Sequence, residues 1–283
     1  MEYWILQILN GVSWGMLLFL IASGFTLTFG LMRVISVAHG SFYMLGGYLA
    51  LSVVRSTGNF SLGAIAAVLA MGIFGMAIYR TLLRHNLGEL EQVFLTFGLL
   101  FLLGDIALWV WTGHPALITK PKAFEGVVRL SGSTYPLYRL FVIATGLIVA
   151  AFLWWFQEKT KYGALIRAGV DDEEMSRAIG INIALLKTLV FGLGTALAAL
   201  GGVLGGPLMG MYPGLDLEVL LLAMVVIVVG GVGSLLGAFV ASLIVGLADN
   251  LGKILLPELS LFLVFAIMAI VLVVRPSGFF GKV

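Results

Sequence analysis

The segment Glu158–Lys187 reads EKTKYGALIRAGVDDEEMSRAIGINIALLK. Of the 16 Lys and Arg and 14 Asp and Glu in this 283-residue chain, ten lie here (Glu158, Lys159, Lys161, Arg167, Asp171, Asp172, Glu173, Glu174, Arg177, Lys187). Long apolar runs flank the segment on both sides, so it reads as one polar loop between membrane helices. Asp171 is suited to cap a helix, with Glu174 three residues on, as in a capping box. Asp172, Glu173 and Glu174 put negative charge where a helix dipole favours it. Gly180 is a C-terminal stop. The expected helix covers roughly Asp172–Ile179 and is too short to persist in water unaided. Two readings follow: a solvated connector that obeys the positive-inside bias, or an element that packs against a partner.

Working outward, hydrophobic residues make up 61% of the chain and charged residues 11%, against about 25% charged in a soluble domain. Several apolar runs reach the ~20 residues that cross a bilayer as a helix, and the short alternating segments of a membrane barrel are missing. The expected fold is therefore an all-α polytopic membrane protein, a single unit over residues 1–283, with about 8–9 transmembrane helices, some broken by glycine. Cysteine is absent, which excludes disulfides and thiolate chemistry. The formal net charge of +2 gives no sign of a nucleic-acid partner. The opening MEYWILQILNGVSWG contains no Lys or Arg and is expected to begin the first membrane helix rather than a signal peptide.

Apolar segments are expected at about 5–29, 34–54, 60–79, 92–111, 137–156, 188–211, 219–245 and 261–274. Arg33, Arg80, Arg84 and the charged loop favour the cytoplasm, which puts the N-terminus outside and the C-terminus, with Arg275 and Lys282, inside. The 219–245 block is interrupted at Gly230–Gly231–Val232–Gly233–Ser234. A split there would give the odd number of crossings that this charge pattern needs. The sixth segment is dense in small residues and is expected to break near Gly205–Gly206–Pro207.

Two glycine-rich interruptions are candidates for the translocation path. His39–Gly40–Ser41, followed by Gly46–Gly47, opens the second segment, and irregular backbone in a membrane is tolerated where it lines a cavity or is buried in protein. A packing kink is the alternative. Gly230, Gly231, Gly233 and Ser234 expose backbone groups that a transporter can offer to a polar solute. Asp105 is a carboxylate inside the fourth segment; it faces a cavity or partner, or lies at the interface beside Trp109 and Trp111. The stretch 112–136, with Pro115, Pro121, Gly126, Gly132 and Pro136, is expected outside, where Lys120, Lys122 and Arg129 run mildly against the positive-inside bias; a docking surface for another protein would account for them, and so would chance. His39, His85 and His114 are scattered and form no ligand or triad spacing. No phosphate-binding loop is present.

Four stretches carry a family resemblance: Gly30–Leu31 … Ala38–His39–Gly40 … Tyr43–Met44–Leu45–Gly46–Gly47–Tyr48; Gly163–Ala168 with Arg177–Asn182; Gly230–Gly237; and Arg275–Gly281. Together they resemble the branched-chain amino acid (LivH-type) permeases of ABC importers, with Gly47 where alanine is usual. The resemblance implies a bacterial inner-membrane subunit, not itself an enzyme, that moves branched-chain or other hydrophobic amino acids inward. It implies a second homologous permease subunit, two ATP-binding cassette subunits carrying ATP and Mg, and a periplasmic substrate-binding protein, with no cofactor in this chain. It also implies that the loop at about 158–187 couples to the ATPase through Gly163, Arg167, Ala168, Asp172, Glu174, Arg177, Ala178 and Gly180. A urea or short-amide importer is the alternative within this class. A stand-alone secondary transporter or channel is the alternative outside it, and would not need a docking helix.

Overall fold

In a computed structural model, which describes residues 2–32, 36–83, 88–130 and 133–281, the chain is almost entirely helical. Among the described residues the helices are α1 (Glu2–Met32), α2 (His39–Thr57), α3 (Phe60–Ile78), α4 (Glu89–Trp111), α5 (Leu137–Lys159), α6 (Lys161–Asp171), α7 (Glu173–Ala178), α8 (Ile183–Met209), α9 (Leu215–Gly230), α10 (Leu235–Leu255) and α11 (Ser260–Val274). The expectations for Arg33, Arg84, His85, Gly132 and Lys282 fall outside the described residues.

Helix α1 is the axis of the bundle. Its seven consecutive residues Met16–Ala22 are each at most 2% exposed, so the helix is enclosed on every side. In lipid, helices gain little from the hydrophobic effect on association and depend on close packing, which small residues permit. Gly24 of α1 and Gly194 of α8 meet backbone to backbone: a Cβ on either would overlap the other's carbonyl oxygen. Between α1 and α10 a Cβ on Gly246 would overlap the Gly15 backbone, and one on Gly15 would overlap the Ser242 carbonyl. Helices α3, α4, α5 and α11 form the rim and turn Leu69, Ile73, Phe94, Ile148, Phe262 and Val273 outward, as a lipid-facing surface requires.

Contacts at the helix ends show the chain direction. Leu31, at the end of α1, lies with Gly169 of α6 and with Ile183 and Leu186 at the start of α8; this is the loop end. At the other end Arg139 of α5 donates to Asn10 of α1, and Asn250 of α10 donates to Gln7. That hairpin end also carries strands β1 (Val127–Leu130) and β2 (Ser133–Pro136), paired antiparallel.

Among the described residues seven helices are long and apolar enough to cross a membrane. Two further embedded helices, α2 and α9, are shorter or more polar and largely enclosed by the rest. With these, nine bundle helices among the described residues carry the chain from the hairpin end, where α1 begins, to the loop end, where the C-terminal tail packs against Val229 and Gly230. The ninth arises at Gly230–Ser234, where the expected 219–245 block divides into α9 and α10.

Three local expectations are corrected. Helix α8 is not broken at Gly205–Gly206–Pro207: it continues to Met209 with Pro207 inside, forgoing the one hydrogen bond that the missing N–H would give to the Val203 carbonyl. His39–Gly40–Ser41 is not a break within a helix but the first turn of α2. The charged loop contains two helices: α6 is additional, its amphipathic face burying Gly163, Ile166 and Gly169.

The backbone contact between α1 and α8 gives a paired test. Gly24→Ala is expected to lower thermal stability in detergent by about 1–3 kcal/mol, the range for overpacking. Gly98→Ala, on the rim where an added Cβ meets nothing within 4 Å, is expected to stay within about 0.5 kcal/mol. Equal melting temperatures for the two variants would contradict the contact.

Candidate translocation and coupling elements

The first turn of α2 is wholly buried. The His39 ring lies among Phe25, Phe42 and Phe191 with centroid distances of 5.2, 5.7 and 5.9 Å. Its Nδ1 is 3.2 Å from the Ser36 carbonyl oxygen and its Nε2 3.5 Å from Thr28 Oγ1. Gly40 has no room for a side chain, because the Asp216 carbonyl and Leu220 of α9 occupy that space. Ser41 Oγ lies 3.2 Å from both Asp216 Oδ2 and the Leu100 carbonyl oxygen of α4. The start of α2 is thus a seat for the start of α9.

Gly46 and Gly47 face α8 instead. A Cβ at Gly46 would overlap Ala199, and one at Gly47 would overlap Met211 and approach the Gly202 carbonyl. The Gly230–Ser234 turn lies at the far end of α9. Phe279 and Phe280 of the C-terminal tail donate their N–H groups to the carbonyls of Val229 and Gly230, at 2.9 and 3.0 Å. Gly231 has φ +96° and packs against Gly278 and Gly281. Gly233, with φ +82°, is exposed, and Ser234 caps α10 by accepting from the Gly237 N–H. The two interruptions are therefore not neighbours: they lie against opposite ends of one helix, α9. Between them α9 presents Leu217 and Leu221 to the outside.

Asp216 was not singled out by sequence. It is a carboxylate only 5% exposed, in the first turn of α9. An acid two residues after Gly214, at the opening of an apolar run, is the sequence signal for it; its burial is visible only in the fold. Asp105 is the opposite case: it lies on the exposed face of α4, one residue from Gly104, whose added Cβ would sit 3.7 Å from Asp216 Oδ2. Trp109 is 86% exposed, while Trp111 stacks on Tyr48 at 5.0 Å and donates to Ser52.

At the loop end, α6 is fastened to α5. Thr160 caps α6 by accepting from the Gly163 N–H at 3.1 Å. A side chain at Gly163 would overlap the carbonyls of Phe156 and Gln157. Arg167 donates to the Gln157 carbonyl and lies 3.9 Å from Glu158. The Ala168 carbonyl accepts from the Asp172 N–H.

Helix α7 has six residues and is closed at both ends. The N-cap is Asp172, not Asp171, which ends α6: the Asp172 carboxylate accepts from the Met175 N–H at 2.9 Å. That puts Met175, not Glu174, three residues on, so Glu174 closes no capping box and is exposed. At the C-terminus Gly180 has φ +91°. Ile181 N–H bonds the Ser176 carbonyl and Gly180 N–H bonds the Arg177 carbonyl, each at 3.0 Å, which is the Schellman pattern.

Glu173 ties α7 to the base of α8. Its two oxygens lie 2.5 Å from Arg177 and 2.8 Å from Lys187. Burial disfavours the Glu173 carboxylate, but Lys187, and then Arg177, outweigh it and hold the group below its ordinary range. On the side away from the bundle Met175, Ala178 and Ile179 are exposed, Met175 at 61% and Ile179 at 69%.

Residues 7–272 match the family model described as branched-chain amino acid transport system / permease component. The chain belongs to this family. It is 30% identical over 300 residues to the high-affinity branched-chain amino acid permease protein LivH of Escherichia coli K12, covering 99% of this chain and 96% of that one. It is 27% identical over 296 residues to BraD of Pseudomonas aeruginosa, with coverage of 99% and 96%. A more distant relative is the ribose import permease protein RbsC of Escherichia coli K12, 27% identical over 243 residues, covering 82% of this chain and 73% of that one. Among solved structures, PsaBC from Streptococcus pneumoniae in complex with Fab superposes with TM-score 0.52 at 13% identity, covering 95% of this chain and 91% of that one. That likeness establishes the fold. As a branched-chain amino acid permease family member with multiple apolar helices, the chain is a multi-pass inner-membrane transport subunit. No group of three or more His, Asp or Glu that could hold a metal is found among its described residues.

Two measurements check these placements. In this cysteine-free chain, Ser234→Cys is expected to react with a small water-soluble thiol reagent in the resting state, and Ser41→Cys is not. Equal labelling would mean that the seat of α9 is open to water. The second follows from the sign of the Glu173 shift. A carboxylate whose proton affinity is lowered by folding contributes fully above its ordinary pKa and is lost as pH falls through its lower folded value. Protection of the α7 amides from hydrogen exchange is expected to be constant from pH 7 to 5 and to fall below the ordinary 4.5. Glu173→Gln is expected to lower that protection between pH 7 and 5, at a cost of about 1 kcal/mol or less for a partly exposed pair, and to match the wild type at the acid end.

Proposed function

We propose that this chain is the membrane subunit of an ATP-driven importer of branched-chain amino acids, with the loop end in the cytoplasm. The observation that carries this reading is α7: six residues capped at both ends, pinned to α8 through Glu173 and Lys187, with apolar Met175, Ala178 and Ile179 turned away from the bundle. Such a knob has nothing in its own chain to bury it and fits a groove on an ATP-binding cassette subunit. ATP and Mg then belong to that partner. A carrier acting alone would have no use for the knob. The substrate class is taken from the names of LivH and BraD, and it suits an α9 face of Leu217 and Leu221.

In this reading the residues first grouped for coupling divide their work. Gly163, Arg167 and Ala168 hold α6 on α5 and support α7 from behind, while Asp172 and Gly180 cap α7. Glu174, Arg177 and Ala178 meet the ATPase. Motion of α7 reaches α8 through the Glu173–Lys187 pair. Helix α8 is packed without slack against α2 at Gly46 and Gly47, and the first turn of α2, His39 to Ser41, seats α9. Helix α9 borders the path, and Gly230, Gly231, Gly233 and Ser234 form the pivot at its cytoplasmic end.

The complete transporter has a second permease subunit, two ATPase subunits and an external binding protein that meets the hairpin end. We assign the exposed face of α4, with Asp105, to contact with the second permease, because an ionised Asp facing lipid near the bilayer centre costs about 2.5–3.5 kcal/mol on insertion scales. Asp105→Asn is expected to reduce uptake while leaving ATPase binding intact, and uptake at the wild-type rate would remove Asp105 from the working surface.

Ala178→Trp tests the central reading. In the reconstituted transporter it is expected to weaken ATPase-subunit binding or abolish substrate-stimulated hydrolysis, with the membrane subunit still folded by its melting temperature. Normal uptake and normal stimulation would reduce α7 to a solvated connector.

A further inference from the structure

The segment that follows α11, Arg275–Gly281, turns back onto the inner end of α9. The Gly278 N–H donates to the Arg275 carbonyl at 2.9 Å and closes a turn in which Gly278 has φ +75°. The Arg275 guanidinium donates to the Phe279 carbonyl at 3.4 Å across the same turn. This aims the Phe279 and Phe280 N–H groups at the Val229 and Gly230 carbonyls, at 2.9 and 3.0 Å. A helix leaves its last carbonyls without partners of its own. Val229 and Gly230 are buried, where an unpaired carbonyl is costly. The tail therefore supplies the cap that α9 lacks, from beyond two further helices.

Glycine lets three segments meet here at backbone distance. A Cβ on Gly230 would overlap Gly237, in the first turn of α10. One on Gly231 would overlap Gly281, and one on Gly278 would overlap Gly231 and the Val228 carbonyl. Contacts of this kind have no rotamer to change. The outer end of α9 is held differently, by the Ser41 hydroxyl between Asp216 Oδ2 and the Leu100 carbonyl. A hydroxyl can leave one acceptor for another by turning about χ1. The two ends of α9 are thus unequal: the inner end can rotate in place, while the outer end can depart from its seat.

We propose that Arg275–Gly281 is a clamp that keeps the inner end of α9 fixed through the transport cycle, so that α9 swings about Gly230–Gly231 with Asp216 on its moving end. The working groups are the N–H groups of Phe279 and Phe280, since the Phe280 ring is exposed. The cycle rests on the transport reading, whereas the clamp itself is a property of this chain, and two measurements keep them apart.

The first uses the purified full-length subunit. Phe280→Pro removes the N–H that Gly230 receives, and Phe280→Ala keeps it. The Gly231 amide bonds the Ile227 carbonyl at 2.9 Å, in the last turn of α9. Its hydrogen exchange is expected to rise about five-fold or more in Phe280→Pro and to stay within about two-fold of wild type in Phe280→Ala. Equal exchange in the two variants overturns the clamp, whatever the chain transports. The second measurement needs no variant. In the reconstituted transporter, hydrogen exchange is compared between the resting state and the state held by a non-hydrolysable ATP analogue. The Leu217 and Glu218 amides, which bond the Gly214 carbonyl at 3.1 and 3.3 Å at the outer end, are expected to exchange about five-fold faster or more with the analogue bound. Those of Phe279 and Phe280 are expected to stay within about two-fold. Faster exchange at Phe279 and Phe280 would show the tail letting go, and no change at either end would show α9 standing still; each overturns the proposal. A wild-type assembly that neither hydrolyses ATP nor takes up substrate would sink the transport reading instead, and the Phe280 pair would still decide the clamp.

Discussion

The contact between the backbones of Gly24 and Gly194, carbonyl against Cα with no side chain between them, sets the geometry on which the other helices build. Lipid solvates an isolated apolar helix as well as another helix does, so association must come from dispersion at short range. Removing side chains from the crossing of α1 with α8, and again from the crossing of α1 with α10, brings three helices to backbone distance. Helix α8 then uses further small positions against α2 and α3, where Thr195 Oγ1 donates to the Met71 carbonyl at 3.1 Å. A core assembled this way has little compliance: a displacement at the base of α8 cannot be absorbed by side-chain rotamers along its length.

This stiffness gives the small size of α7 a rationale. A six-residue helix has almost no propagation to offset its nucleation, yet here both ends are closed by named hydrogen bonds and one side is tied to α8. What would otherwise be a fraying loop becomes a fixed projection at the base of a closely packed helix. The polar tethers sit in water at the loop end, where a single ion pair is worth little to stability, so their contribution is orientation more than cohesion.

Much of this was readable in the chain. The apolar runs, the glycine density of α8 and the Gly180 stop each follow from a local rule, and each stands in the structure. The readings that shifted did so for local reasons as well. Two adjacent aspartates, Asp171 and Asp172, compete for the cap, and only the termination of α6 at Asp171 decides between them. Pro207 reads as a break because local propensity does not count the packing of α8 against its neighbours, which outweighs one lost backbone hydrogen bond. What could not be read was anything made by elements far apart in sequence. Ser41 and Asp216 are 175 residues apart. Arg139 and Asn10 are 129 apart. The glycines at 40 and 230 look like equivalent interruptions as text, and only the course of α9 between them separates a buried seat from a turn covered by the C-terminal tail.

The division of one apolar block at Gly230–Ser234 also constrains how genes for such subunits can evolve. Helix α1 begins at the hairpin end and the C-terminal tail packs at the loop end, so the two ends of this fold lie at opposite ends of the bundle. Two copies could not be joined tail to head by a simple linker, because the second would be inserted upside down. Duplication of this architecture therefore favours separate polypeptides, free to diverge in sequence, unless an additional crossing is acquired at the junction.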